Sequence, residues 1–143
     1  MTETAVLEVM QAHATAGVFW AREMFEPSLD YSEASLYEVE QILGRLRDRL
    51  PQNRLTRLIQ RRQMRREMLE IAIVWGSYVG EVMRRHGAGE WQVSHAKRAN
   101  ILATSLQLPA ITAFPIQAIY HWLSFQSPEG IWDYYKRMIQ AQP

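Results

Sequence analysis

The sequence predicts a mainly helical α+β fold with three N-terminal helices, a small antiparallel sheet and a C-terminal helix. Up to residue 86, apolar residues recur at spacings of three and four, which is typical of amphipathic helices. After residue 90 they alternate with polar residues, as in half-buried strands. The Ser-Pro pair at Ser127 has the composition of a further helix start. A chain of 143 residues is expected to form a single domain over residues 1–143.

The first helix is expected over residues 4–25 and ends before Pro27. Its predicted apolar stripe consists of Val6, Met10, His13, Gly17 and Trp20. Val18 and Phe19 widen this stripe on one side.

The second helix has a capping-box spacing at its start, with Ser35 followed three residues later by Glu38. Asp30 and Ser32 are alternative caps. The helix ends at Pro51, and its predicted buried stripe contains Leu36, Val39, Leu43, Leu46 and Leu50.

The third helix is expected over residues 55–86 and is the longest. Its predicted buried stripe contains Met68, Ile71, Ala72, Trp75, Val79, Val82 and Met83. Ala72, Gly76 and Gly80 lie four residues apart, which predicts close approach of another element because glycine alone would weaken the helix. Gly87-Ala88-Gly89 is expected to end the helix, with a glycine in the left-handed conformation.

The remaining third of the chain predicts strands over residues 90–94, 99–106 and 111–114, then a short helix over 116–123. A final helix is expected to start at Ser127-Pro128. Its predicted inner face consists of Ile131, Tyr134, Tyr135 and Met138.

The composition excludes several classes of function. The absence of cysteine excludes disulfide scaffolds, thiolate metal sites and cysteine nucleophiles. The four histidines lack the spacing of paired metal ligands, and no catalytic or nucleotide-binding motif occurs, so we expect no enzyme activity, no cofactor and no metal. Without a long apolar run or a signal-peptide pattern, the sequence predicts a cytoplasmic protein that does not bind membranes.

The net charge of +1 hides a strong segregation of charge along the chain. Residues 1–44 contain one arginine and eight acidic residues, a net charge of −7. Residues 45–66 contain nine arginines and one aspartate, a net charge of +8. Residues 67–143 contain six charges of each sign and are neutral.

The arginine-rich segment has two interpretations. In the first, its arginines pair with the acidic helices or are solvated, as most charge runs are. In the second, they form a strip that binds an acidic protein or nucleic acid. Nucleic acid is not expected as the partner because the segment lacks interleaved aromatic residues. The candidate partner-binding residues are Arg54, Arg57, Arg61, Arg62, Arg65 and Arg66.

A second candidate site surrounds the glycine turn. Tyr78, Glu81 and Trp91 are candidate residues for a small ligand or an anion. The alternatives are that Glu81 forms helix ion pairs with Arg84 and Arg85, and that Trp91 belongs to the core.

Residues 77–91, with Tyr-x-Gly-Glu-Val on a helix, a glycine turn and a Trp strand, resemble a signature of small bacterial proteins of uncharacterised function. The similarity extends upstream to Leu29 and downstream to Tyr135, with the least match over residues 45–66. The resemblance implies a compact α+β domain without known enzyme activity. Some proteins of this kind are accessory proteins, including immunity proteins that neutralise toxins.

Together, these observations favour a non-enzymatic protein that binds another protein, as an immunity or adaptor component. The acidic residues 23–40 could mimic nucleic acid toward a basic toxin, and the arginines could bind an acidic one. The alternatives are a small-ligand or anion-binding domain, or nucleic-acid binding through residues 45–66. The many aromatic residues also allow a homodimer.

Overall fold

The computed structural model of the chain describes residues 3–51, 53–93, 101–124 and 129–141 and confirms the predicted mainly helical α+β fold. The α-helices of this part of the chain are α1 (Glu3–Trp20), α2 (Ser35–Asp48), α3 (Arg54–Ile59), α4 (Arg61–Gly87), α5 (Pro115–Leu123) and α6 (Ile131–Gln140). The strands are β1 (Glu90–Gln92), β2 (Ser105–Gln107) and β3 (Thr112–Ala113). Among the described helices, none is long and apolar enough to cross a membrane.

Helix α4 forms the centre of the fold. Every residue from Val74 to Met83 is buried, so this segment is covered on all sides and not only along the predicted stripe. The predicted close approach is confirmed, because a Cβ atom on Gly76 would lie 2.5 Å from the Ile116 Cα of α5. A Cβ on Gly80 would overlap the Trp91 ring.

Helix α1 runs antiparallel to α4 and continues into a π-helical turn over Ala21–Phe25, which confirms the predicted end. The Ser77 hydroxyl donates to the Met10 sulfur at 3.8 Å, and Gly17 packs against Val74 and Trp75.

The predicted stripe of α1 is wrong at its C-terminal end. Phe19 and Trp20 are exposed, and the small residues Ala14 and Ala21 are buried instead. Small residues let the helix axes approach closely. The buried face of α1 is therefore the one that contains Ala14 and Ala21, and the aromatic side chains lie outside the contact.

The predicted third helix is divided in two at Gln60, whose backbone φ of −99° and ψ of 23° are not helical. The short helix α3 has its own cap: the Asn53 side-chain oxygen accepts hydrogen bonds from the backbone N–H groups of Leu55 and Thr56. An asparagine cap of this kind starts a separate short helix at a position where the prediction has the first residues of one long helix.

The predicted capping box of α2 is also wrong. The Ser35 hydroxyl donates to the Ser32 carbonyl at 2.6 Å and pairs with the Tyr78 hydroxyl at 2.7 Å. The alternative caps make the local bonds, since Ser32 Oγ accepts from the Ser35 N–H and Asp30 Oδ1 accepts from the Ser32 N–H. The predicted stripe of α2 is buried apart from Leu46, which is half-buried.

The three strands form an antiparallel meander in the order β1-β2-β3. Trp91 pairs with Leu106, which in turn pairs with Ala113. The second strand is shorter than predicted, because residues Ile101–Ala103 form a 3₁₀ turn. Residues 94, 99 and 100 of the predicted strands lie outside the described residues.

The predicted left-handed glycine in the turn after α4 is wrong. Ala88, and not a glycine, has the left-handed conformation, with φ of 57°. The flanking glycines serve packing instead: a Cβ on Gly89 would lie within 2.9 Å of the Leu106 side chain, and one on Gly87 within 3.2 Å of Leu108.

Helix α6 buries its predicted inner face: Ile131, Tyr134, Tyr135 and Met138. Its described first turn begins after Gly130, and the Glu40 carboxylate of α2 accepts the Ile131 N–H at 2.8 Å. The predicted start at Ser127-Pro128 lies outside the described residues.

Candidate functional site

The predicted partner-binding arginines lie on α3 and on the first turns of α4. All are exposed except Arg57, which is half-buried and whose Nε donates to the Pro51 carbonyl at 2.6 Å. Within the described residues, no acidic side chain forms an ion pair with the five others, Arg54, Arg61, Arg62, Arg65 and Arg66. The expectation that these arginines pair with the acidic helices therefore finds no support in this part of the chain.

Three of these arginines and Arg57 line a groove between α3, α4 and α5, which we call the arginine groove. Its volume is about 790 Å³, and its lining consists of Arg54, Arg57, Leu58, Arg61, Met64, Arg65, Met68, Tyr120 and Ser124. Met68 is buried, while Met64 and Tyr120 are half-buried. The groove thus combines an apolar wall with cationic side chains that are exposed to solvent.

A second cavity extends the arginine groove along α4. It has a volume of about 390 Å³ and shares Arg65 and Tyr120 with the groove. Leu69, Ile101 and Leu102 add further apolar lining. The two cavities together provide room for several residues of an extended or helical segment.

The chemistry of the groove follows from its side chains. Guanidinium groups bind carboxylates and phosphates through paired N–H donors, and Arg54, Arg61 and Arg65 form no ion pair with a carboxylate among the described residues. The apolar wall offers burial to methylene or aromatic groups. An anionic ligand with apolar side groups fits this combination.

At the second candidate site, the predicted ion pair of Glu81 is confirmed. Its carboxylate is fully buried and accepts from Arg84 Nε at 2.7 Å and Nη2 at 3.1 Å. Arg85 lies 3.8 Å away, and Trp91 Nε1 donates at 2.9 Å. Burial by itself raises the pKa of Glu81, but the hydrogen bonds from Arg84 and Trp91 and the two positive charges outweigh it and lower the pKa.

Tyr78 forms a separate set of contacts on the other side of Arg85. Its hydroxyl accepts the Tyr31 N–H at 2.9 Å in addition to pairing with Ser35, and the two tyrosine rings stack at 4.8 Å. Burial raises the pKa of the Tyr78 hydroxyl. The Arg85 guanidinium lies over the Tyr31 ring at 3.8 Å and therefore joins this set to Glu81.

Of the three predicted ligand residues, Trp91 lines a cavity beside the glycine turn. That cavity has a volume of about 350 Å³ and is lined by Thr4, Leu7, Arg84, Gly89, Glu90 and Trp91. Tyr78 and Glu81 are fully buried and bonded within the chain, and Trp91 is a core residue. The ligand hypothesis stays a prediction.

Sequence reasoning missed the apolar partners of the arginines. Leu58, Met64 and Tyr120 line the groove, but only the fold brings Tyr120 of α5 to α3. One signal was present: Leu55, Leu58 and Ile59 have helical spacing among the arginines, which indicates an apolar stripe on the arginine-rich helix.

Within the described residues, no group of three or more histidine or acidic side chains could hold a metal ion. Neither a protein-family model, nor a curated protein, nor a solved structure matches this chain.

Proposed function

We propose that the chain is a non-enzymatic protein-binding protein whose arginine groove binds an acidic segment of another protein. The observation that carries the proposal is the set of exposed arginines without an acidic partner in the described structure, beside an apolar wall. Cationic side chains that are not used within the fold are available for a carboxylate-bearing partner.

The apolar wall favours a protein segment over nucleic acid. A single-stranded nucleic acid needs aromatic platforms for its bases, and Tyr120 is the one aromatic residue of the groove lining. An acidic segment with Leu, Met or Phe side chains would place its carboxylates on the arginines and its apolar groups against Met64 and Met68. An adaptor or toxin-neutralising immunity role is the finer form of this proposal, and it is supported by the sequence resemblance and by the segregated charge.

The small-ligand alternative at Tyr78, Glu81 and Trp91 has weaker support. The hydroxyl of Tyr78 and the carboxylate of Glu81 already bind partners within the chain, so a ligand would have to displace those bonds. We therefore place the binding function at the arginine groove.

The proposal is tested by comparing two double charge reversals as baits in affinity capture from the source cells. Arg61→Glu/Arg65→Glu changes the groove, and Arg22→Glu/Arg45→Glu makes the same change at exposed arginines outside it. We expect a protein that is captured by the wild type and the control but not by the groove variant. The purified pair should then bind at least about tenfold more weakly with the groove variant, since charged hydrogen bonds contribute about 1.5–3 kcal/mol each.

Two outcomes would count against the proposal. One is that the same proteins bind all three baits. The other is that the wild type captures duplex DNA or RNA and no protein, and that the groove variant loses this binding. The affinity for the nucleic acid would then fall steeply as the salt concentration rises.

A further inference from the structure

Exposed apolar side chains are concentrated at one end of the molecule. Of the nine large apolar residues that are exposed in the described structure, six lie on α3 or at the C-terminal end of α1 with its π-helical turn: Phe19, Trp20, Met24, Leu55, Leu58 and Ile59. Leu58 and Ile59 are 68% and 74% exposed, and Phe19 and Met24 are 61% and 59% exposed. Clustered exposure of this kind marks an interaction surface.

The two groups of side chains lie at the same end because α1 is antiparallel to α4. Trp20 shares a cleft with Glu67 and Ile71 near the start of α4, and α3 directly precedes α4. The same cleft includes Leu50, which lies two residues after α2 and four residues before α3.

Helix α3 lacks the core contacts that normally stabilise a helix. It has six residues, and none of them is buried in the described structure. An isolated helix needs about 12–15 residues to be even marginally stable in water. The Asn53 cap and the Arg57 bond to Pro51 hold α3 in place, and its apolar stripe is left without a cover among the described residues.

The charges around the two apolar groups are complementary. Glu23 and Glu26 are exposed beside Met24 and have no ion-pair partner among the described residues. Arg54 is exposed at the start of α3, and Arg62 is exposed in the first turn of α4. Arg22 and Arg49 also lie at the α1 end, where Glu67 and Glu70 of the Trp20 cleft keep acidic residues in excess.

We infer that a second copy of this chain covers this end, with α3 of each copy on the α1 end of the other. The apolar stripe at Leu55 and Ile59 then contacts Phe19 and Met24 of the second copy, and the arginines face Glu23 and Glu26. Because both surfaces lie at one end, a two-fold axis satisfies both contacts at once and closes the assembly as a dimer. Arg54 borders both surfaces, but Leu55 and Ile59 do not line the arginine groove, so the dimer contact at these two residues does not depend on the proposed function.

The test is the mass of the full chain in solution by sedimentation velocity, over a concentration series up to about 100 µM, where contacts of micromolar affinity are saturated. We expect a species of twice the 16.7 kDa chain mass. Leu55→Asp/Ile59→Asp should shift the midpoint of dimerisation at least tenfold upward. Arg61→Glu/Arg65→Glu, the groove variant, should leave the dimer intact.

A charge swap distinguishes the exchanged contact from any other dimer. Glu23→Arg/Glu26→Arg and Arg54→Glu/Arg62→Glu should each weaken self-association, because both contacts of each homodimer become like-charged. A mixture of the two variants should form a heterodimer, because each of its two contacts again joins opposite charges. Circular dichroism of each variant checks that the fold is retained.

A monomeric wild type throughout the series would overturn the inference. So would a dimer that the swap variants do not weaken, or a mixture that stays monomeric while each variant is folded. Binding of the wild-type monomer to anionic vesicles through Leu55 and Ile59 would reassign the surface to a membrane.

Discussion

At the scale of single residues, Glu81 connects the sheet to the central helix. Its buried carboxylate joins Arg84 and Arg85 of its own helix to Trp91 of β1. The sequence indicated the pairs with Arg84 and Arg85, because those residues follow at three and four positions. The bond to Trp91 depends on how the chain turns after Gly87, which spacing along the chain does not determine.

Replacing Glu81 by glutamine keeps the shape of the side chain and removes the charge. We expect Glu81→Gln to lower the free energy of unfolding by about 2 kcal/mol, because charge-assisted hydrogen bonds in a buried site are lost. Urea denaturation measures the change. Asp133→Asn, which removes an exposed ion pair to Lys136 at 3.6 Å, is the matched control and should cost less than about 0.5 kcal/mol. Equal effects of the two substitutions would mean that Glu81 has no special structural role.

The contribution of Glu81 should also depend on pH. Since its pKa in the folded protein lies below the ordinary value of 4.5, the carboxylate stabilises the fold fully above about pH 4.5. That contribution is lost as the pH falls through the lowered pKa. The stability difference between the wild type and Glu81→Gln should therefore narrow at acid pH, and urea titrations at several pH values would show it. A difference that stays constant down to pH 2 would contradict the lowered pKa.

At the scale of elements, the glycines of α4 set the distance between helices. Gly76 lies against the Ile116 backbone of α5, and Gly80 lies under the Trp91 ring. The spacing of these glycines predicted the close approach of another element, but the sequence did not show which element it is. The structure identifies α5 and β1 as the two partners.

The same substitution at two glycines should have opposite effects. Gly76→Ala is expected to destabilise the fold by about 1–3 kcal/mol, because the added methyl group meets backbone atoms that have little room to move. Gly44→Ala in α2 meets nothing within 4 Å and should stabilise the fold by up to about 1 kcal/mol through helix propensity. Thermal and chemical denaturation of both variants give the sign. Destabilisation at both positions would refute the assignment of close packing to Gly76.

At the scale of the whole molecule, burial is distributed unevenly. Residues 74–83 of α4 are buried without exception, whereas no residue of α3 is buried in the described structure. The fold therefore joins a well-packed body to an exposed basic end. Both the arginine groove and the inferred dimer contact use this exposed end.

Amide hydrogen exchange should reflect this difference. In dilute protein, amides of residues 54–59 are expected to exchange at least about a hundredfold faster than those of 74–83, because local opening of α3 exposes no core. Mass spectrometry of peptides from the two segments measures both rates. Raising the protein concentration should slow exchange in α3, but not in residues 74–83, if the second copy covers α3. Protection of α3 equal to that of α4 in dilute protein would contradict this distribution of stability.

The sequence by itself determined the fold class, most helix limits and the buried stripes of α2, α4 and α6, because apolar periodicity and proline positions act locally. It also located the arginines. It misplaced the buried face of α1, where Ala14 and Ala21 are buried in place of Phe19 and Trp20. It also misplaced the cap of α2, because Ser35 bonds Tyr78 of α4.

Only the tertiary structure decided which surfaces remain free. Whether an arginine meets an acid, or Phe19 meets a core, depends on residues far away in the chain, and the free energy of each contact depends on its three-dimensional neighbours. In the described structure the arginines at 54, 61, 62, 65 and 66 form no ion pair with an acid, and Phe19 and Ile59 are exposed. A net charge of +1 thus conceals one end of the molecule that is both basic and apolar.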